Sequence, residues 1–539
     1  MKKKIYSLVG LALGLSLTLS ACSSNSGTTT AATTAGATSG TTAVVGEPKD
    51  GGKLTIALTS SPKNLDPVKY TGTYESQIIQ NVGDTLVGYS MDLSKIVPAI
   101  ATSWTVSADA KAYTFKLRQD AFFHPGTYQT GRQMKAEDVK FSLERSAQKS
   151  AMKRLDMIKS VEVVNDFEII VHLPEPSAVF LTALTNSGNI IVPKEEVEGW
   201  GDAFGNHLIG TGPFMMKEFK LDEATTLVRN DKYWAAKPHL DSVVFKVITD
   251  MNQNANALRT GEIDFASNLT GESVKLIRDD KANKLLEMPG LHVAYIYFNM
   301  VKGPTADIKV REALIRALDV KDLVKGVYQY GEAQPASLPL PPGSWGYDKT
   351  LEADVPTYDA AAAKALLAEA GYPNGFKTKL YISNTPSRVR MATIVQQYWK
   401  QNLNVDVEIM TSEWGTFSEI ASKGNADIFA MSWTWYPDPY FFLNKIFISS
   451  AIGSLGNGQG FNDAEVDKLL NDALVITDQT ERAKLYSQAV KAIIAKRPGV
   501  FYSNENVIWG VSPKVQDLVQ RADGSIFLVN EEVNVWLAQ

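Results

Sequence analysis

Residues 98–126, PAIATSWTVSADAKAYTFKLRQDAFFHPG, form the most ordered run of features in this 539-residue chain. Within it residues 113–117 alternate apolar and polar side chains, the spacing of a half-buried strand. Phe122-Phe123-His124-Pro125-Gly126 then supplies the residues of a turn. Just beyond, residues 136–146 carry apolar residues at helical spacing and acids in the first turn, which favour the helix dipole. Residues 161–164 and 167–173 predict a hairpin, turning near Asn165-Asp166. Upstream, residues 52–58 (GKLTIAL) predict a first strand that ends in the turn-rich SSPKNLDP. Downstream, helices are predicted over 359–370 (stopped by Gly371), 388–401, 463–474 and 480–496. Strands near 295–299, 405–410 and 427–433 alternate with them. The reading is an α/β body with mainly crossover-connected sheets.

Composition agrees with a globular body. Hydrophobic residues make up 44% and charged residues 21%, with 54 Lys+Arg against 59 Asp+Glu, a net charge of −5. That mild acidity argues against a nucleic-acid surface, which shows as a basic excess. At about 150 residues per domain the length corresponds to about three domains. With a single Cys the chain forms no internal disulfide and no thiolate metal cluster.

That Cys has a particular place. Lys2, Lys3 and Lys4 precede an uncharged apolar run over residues 5–19, too short for a spanning helix of about 20 residues. It has the flanks of a secretory signal. The run ends in Leu19-Ser20-Ala21-Cys22, which resembles the lipobox of bacterial lipoproteins. The resemblance implies removal of residues 1–21 and lipidation of Cys22 as the new N-terminus. Removing three lysines leaves 51 basic against 59 acidic side chains, a charge of −8. Residues 23–46 contain neither charged nor aromatic side chains and should form a flexible tether, with a reach of roughly 25–30 Å. Residues 22–49 are therefore expected to hang the body from a membrane by a lipid anchor.

Catalytic patterns are thin. The five histidines, at 124, 172, 207, 239 and 292, include no i, i+4 pair that would set two imidazoles on one helix face. They are expected to be isolated surface or turn residues, and no metal or cofactor is expected. Gly456-Asn457-Gly458-Gln459-Gly460 lacks the Lys-Ser/Thr of a phosphate loop and predicts a flexible loop. Ser60-Ser61-Pro62-Lys63 matches Ser-x-x-Lys, but Pro62 and its turn-forming neighbours oppose the required helix.

A series of strings runs through the body in a fixed order. Asn64-Leu65-Asp66-Pro67 is followed by Pro98-Ala99-Ile100-Ala101-Thr102-Ser103-Trp104 and Tyr113-Thr114-Phe115-Lys116-Leu117-Arg118. Next come Phe123-His124-Pro125-Gly126, Gly210-Thr211-Gly212-Pro213-Phe214 and Arg229-Asn230-Asp231-Lys232-Tyr233-Trp234. Gly261-Glu262-Ile263-Asp264 and Ala370-Gly371-Tyr372-Pro373-Asn374-Gly375 complete the order. Over about residues 50–539 this resembles the family 5 solute-binding proteins of ABC importers, the oligopeptide, dipeptide and nickel-binding group. The resemblance implies a two-lobed periplasmic-binding-protein-like α/β fold (class II, large type) with the ligand cleft between lobes. Lobe I would hold 50–290 and 507–539, with a subdomain over about 83–215, and lobe II 291–506. Crossings would fall near residues 289–293 and 501–507. Trp104 and Trp234 are expected in cores.

The same resemblance implies two ligand-contacting segments. One contains Thr71, Gly72, Thr73 and Tyr74, where neutral Thr71 stands in place of an acid found in some oligopeptide binders. The other is the aromatic run Ser432, Trp433, Thr434, Trp435, Tyr436 and Asp438, preceded by Trp414. Strand backbone there could pair with an extended peptide between flat aromatic walls. Core and cleft placements stay open for Trp433 and Tyr440. Peptide-binding relatives hold an Asp soon after the strand tryptophan, and this run has no acid before Pro437; Asp438 belongs to a turn. The Arg that grips a dipeptide carboxylate is also missing after Tyr381-Ile382, with Arg388 and Arg390 later on a helix. The expectation is a monomeric, non-enzymatic receptor for an oligopeptide. It would serve ABC permease transmembrane subunits with a cytoplasmic ATPase, at the outer face of the cell membrane. An oligosaccharide, an opine-like compound or a nickel chelate are the rival ligands, and a cell-envelope hydrolase is the rival class.

Overall fold

A computed structural model describes residues 46–434 and 436–538. Cys22, the signal and most of the tether therefore lie outside the described residues, as does Trp435.

The strand Gly499–Val511 organises the molecule because it pairs with two different sets of strands along its length. Its first half runs antiparallel to His292–Phe298, with Tyr297 opposite Gly499 and Tyr295 opposite Phe501. Its second half runs antiparallel to Lys284–Pro289, with Pro289 opposite Asn506 and Lys284 opposite Val511. Between these two partners the chain passes through Gly290-Leu291. Gly290 donates its N–H to Glu505 O at 2.8 Å, and a Cβ there would stand 2.8 Å from that same oxygen. Only glycine permits so close a backbone approach.

Two lobes grow from the two halves. In the first, Lys53–Leu58 lies parallel to both Ser242–Val247 and Phe265–Ala266, and Ala224–Arg229 and Phe214–Lys220 extend the sheet. Leu54, Ile56 and Leu58 join one core and Ala57 another, so this strand is covered on both faces. In the second, Lys377–Ser383 lies parallel to Asp406–Ser412 and Ile428–Thr434, and the last of these pairs antiparallel with His292–Phe298. Alternate residues of His292–Phe298 enter different cores, Tyr295 and Tyr297 on one face and Ala294, Ile296 and Phe298 on the other. A separate antiparallel sheet in the order Ala101–Val106, Ala112–Leu117, Glu168–His172, Ser160–Asn165 packs against the helix Ala136–Lys149 around Phe115, Val139 and Leu143.

The predicted elements are present with small shifts at their ends. Asp359, Asp463 and Asp478 stand one residue outside their helices, each accepting an N–H of the first turn. Two expectations are corrected. The sheets are not mainly crossover-connected: among the described residues parallel pairing is confined to Lys53–Leu58 and Lys377–Ser383 with their neighbours, and the other ladders are antiparallel. The short hairpin strands over 214–229 carry too little alternation to stand out in sequence. Residues 456–460 are also not a flexible loop. Asn457 and Gln459 are buried there, and a Cβ on Gly458 would meet Ala421 O at 2.0 Å, so the glycines serve close packing.

Candidate functional site

A cavity of about 1520 Å³ opens between the lobes. The first lobe contributes Thr71, Gly72 and Thr73, where the chain enters the helix Thr73–Val82. Tyr74 points elsewhere: its hydroxyl is 2.8 Å from Thr59 Oγ1 and its ring packs on the first-lobe core. From the second lobe, Thr434 and Tyr436 line the cavity together with Tyr440 and Phe441. The aromatic segment divides because Ile428–Thr434 is a strand with alternating faces, after which Pro437 and Pro439 turn the chain into the helix Tyr440–Phe447.

The other described candidates, Trp433, Ser432, Trp414 and Asp438, are not among the residues that line the cavity. Trp433 donates its indole N–H to Phe441 O at 3.0 Å and packs on the second-lobe core. Ser432 accepts from Arg388 at 3.3 Å. Trp414 is 48% exposed at the start of its helix, its ring 5.6 Å from Phe417. Asp438 is 1% exposed and gripped by Arg482, with N···O distances of 3.0 Å. Its carboxylate also accepts from Tyr440 N at 3.0 Å and Thr182 Oγ1 at 3.3 Å, so it stabilises the turn and is turned away from the cavity.

Several cavity residues escaped sequence reasoning. Asn186 donates its amide to Tyr436 OH at 2.6 Å and accepts from Tyr70 OH at 3.0 Å, which ties the two lobes together at the cavity edge. Ala178 N donates to Leu474 O at 2.8 Å, and Gln479 donates to Ser94 O at the same distance, extending this seam. Burial raises the hydroxyl pKa of both Tyr70 and Tyr436, so both stay neutral. Trp234, expected in a core, packs against two first-lobe cores and also forms part of the wall. Its indole donates to Asp84 at 3.0 Å, and the Arg118 guanidinium lies 3.3 Å from its ring centre. Asp84 also accepts from Thr211 at 2.7 Å and Tyr233 at 3.0 Å. Burial nonetheless lifts its carboxyl above the usual range, against the pull of those hydrogen bonds. The Gly210-Thr211-Gly212 and Tyr233-Trp234 strings, far apart in sequence, thus meet on one carboxylate. No sequence signal marked Asn186 or Asp84, because each acquires its role from a partner on another element.

Among the described residues no group of three or more His, Cys, Asp and Glu side chains could hold a metal ion. Of the histidines expected at turns or on the surface, His124 is buried and His292 is half-buried. No helix of the described residues is long and apolar enough to cross a membrane.

Residues 95–454 match the model of the bacterial extracellular solute-binding proteins, family 5. The chain belongs to this family. Heme-binding protein A of Haemophilus influenzae is 34% identical over 480 residues, which covers 84% of this chain and 87% of that protein. The structure of HbpA2 from Haemophilus parasuis superposes with a TM-score of 0.84 at 29% identity, covering 90% of this chain and 100% of that one. The ABC transporter-associated periplasmic binding protein DppA from Helicobacter pylori, in complex with peptide STSA, gives 0.72 at 30% identity, covering 91% and 99%. In this family-5 chain the cavity between the two lobes is the candidate solute site, lined by aromatic, neutral polar and charged side chains.

Proposed function

We propose that this protein captures an oligopeptide in the interlobe cavity and delivers it to the membrane subunits of an ABC importer driven by a cytoplasmic ATPase. The observation that carries this reading is the cavity of about 1520 Å³ whose two walls are joined by the Asn186–Tyr436 hydrogen bond. A cavity that size suits an extended solute, and backbone groups beside Thr434 and Thr71 can serve a peptide's own N–H and C=O groups. The peptide bound to the Helicobacter pylori relative supports the same class. Binding between lobes favours the closed arrangement, which is the form that docks on the permease. The protein would act as a monomer, without catalysis, anchored outside the cell membrane by lipid on Cys22. Residues 50–290 with 507–539 would form one lobe, including a subdomain over about 83–215, and 291–506 the other. The switch of pairing partner along Gly499–Val511 supports that division.

A second reading is a heme receptor, favoured by the 34% identity to heme-binding protein A. One experiment separates the two. A mixed oligopeptide library at about 100 times Kd should add about 2.7 kcal/mol to the stability of the full chain, and Tyr436→Phe should reduce that gain. Hemin should give no saturable change in Soret absorbance. Saturable one-to-one hemin binding with no stabilisation by peptides would replace the peptide reading with the heme one.

A further inference from the structure

The charge on the cavity wall is unevenly distributed. On the second lobe, Lys445 is the single charged group among the described residues that line the cavity. Its ammonium lies 5.5 Å from the Tyr440 ring centre, and no described carboxylate pairs with it. The one acid of that aromatic segment, Asp438, is already neutralised by Arg482 at 3.0 Å. An ammonium group approaching this wall therefore finds no free carboxylate.

From the first lobe, Lys153 and Arg154 also line the cavity, as do Lys95 and the Asp523-paired Arg521. Among the described residues the Arg154 side chain donates to neutral oxygens, Tyr70 O at 2.9 Å, Ser150 Oγ at 3.2 Å and Pro67 O at 3.4 Å, and its guanidinium stacks 4.2 Å from the Tyr70 ring centre. Tyr70 OH reaches Asn186, and Asn186 reaches Tyr436 of the second lobe, so Arg154 stands close behind the seam. Its charge acts on the Tyr436 hydroxyl. Of the seven described acids that line the cavity, five are engaged: Glu175 pairs with Lys111 at 3.1 Å, Asp523 with Arg521 at 2.8 Å, Asp84 has three neutral donors, Asp92 accepts from Ser90 and Ser94, and Glu532 accepts from Met91 N at 3.2 Å. Asp156 and Glu531 are exposed, and Glu531 acts on Tyr233 beside Asp84. Cations whose partners are neutral keep their full attraction for an incoming anion, and a partly closed cavity screens it less than bulk water does.

We infer that the cavity selects solutes by an anionic group set between Lys445 of the second lobe and Lys153 and Arg154 of the first, and that it requires no free α-ammonium. This rests on the solute-capture reading above and names the chemistry of its ligand. Any carboxylate presented at that wall would satisfy it, including that of a peptide whose amino end is blocked.

The test is calorimetric titration of the full chain with three probes: trialanine, N-acetyltrialanine and trialanine amide. The expected result is that acetylation changes affinity by less than about threefold while amidation costs about tenfold or more. Lys445→Gln, at an exposed position, and Arg154→Gln should each narrow the gap between acid and amide, and should flatten the dependence of binding on salt. If Arg154→Gln fails to fold, Lys445→Gln alone carries the test. Loss of binding on acetylation with no effect of amidation would overturn this inference and leave peptide capture standing. So would an acid-to-amide gap that Lys445→Gln leaves unchanged. If none of the three probes binds, peptide capture fails, and this inference with it.

Discussion

His124 gives a prediction whose size follows from its surroundings. The imidazole is 1% exposed; Nε2–H donates to Gly212 O at 2.8 Å, and Nδ1 is buried without a partner. A second proton on Nδ1 would be a buried donor with nothing to accept it, so burial pushes the pKa down to about 4 from the ordinary 6.5. Between those values the unfolded chain binds more protons than the folded one, and stability rises with pH. The contribution is complete above about pH 6.5 and is lost as pH falls towards about 4. The full shift amounts to about 3 kcal/mol, of which about 2 kcal/mol disappears between about pH 7 and pH 5. The perturbation is His124→Gln, which keeps a donor within reach of Gly212 O and cannot titrate. Urea unfolding of both proteins across that range should give a stability difference that changes by about 2 kcal/mol, with the wild type losing more on acidification. Other titrating groups, including Asp84 and His292, are common to both proteins and cancel in the difference. Parallel pH–stability curves would refute the argument, since they would mean that His124 is protonated as readily in the folded protein as in the unfolded chain.

Other consequences are simpler to measure. Asp438→Ala should destabilise the protein by roughly 3–5 kcal/mol in urea unfolding, because Arg482, 5% exposed, would be left buried without its counter-charge. A loss below about 1 kcal/mol would mean that the pair is solvated. Gly458→Ala should cost at least about 1–3 kcal/mol, since its Cβ would overlap Ala421 O and force apart two packed segments. An unchanged melting temperature would instead show that 456–460 moves freely.

Secondary structure was largely legible in the sequence because it depends on near neighbours. The alternation in 113–117 and the helical segments over 359–370, 463–474 and 480–496 are local signals, and the structure places a strand and helices there. Sheet connection was less legible, since pairing depends on partners hundreds of residues apart, such as Lys53–Leu58 with Ser242–Val247. Among the candidate ligand residues, Thr71, Gly72, Thr73, Thr434 and Tyr436 come together on one cavity. Tyr74, Ser432, Trp433 and Asp438 sit beside them in sequence and face other groups. Along a strand or a turn the next side chain points the opposite way, so a run of promising residues is divided between core and cavity.

By itself the sequence determined the class of fold, through the ordered strings between Asn64 and Gly375, and the expectation of an anchored receptor with a single cysteine at its head. Only the tertiary structure decided which charges a solute would meet. Asp438 is neutralised by Arg482, and Asp84 is surrounded by Thr211, Tyr233 and Trp234, while Lys445 and Arg154 have no carboxylate partner among the described residues. Whether a charge is spent or available depends on what stands within a few ångströms of it, and that distance is set by folding rather than by order along the chain.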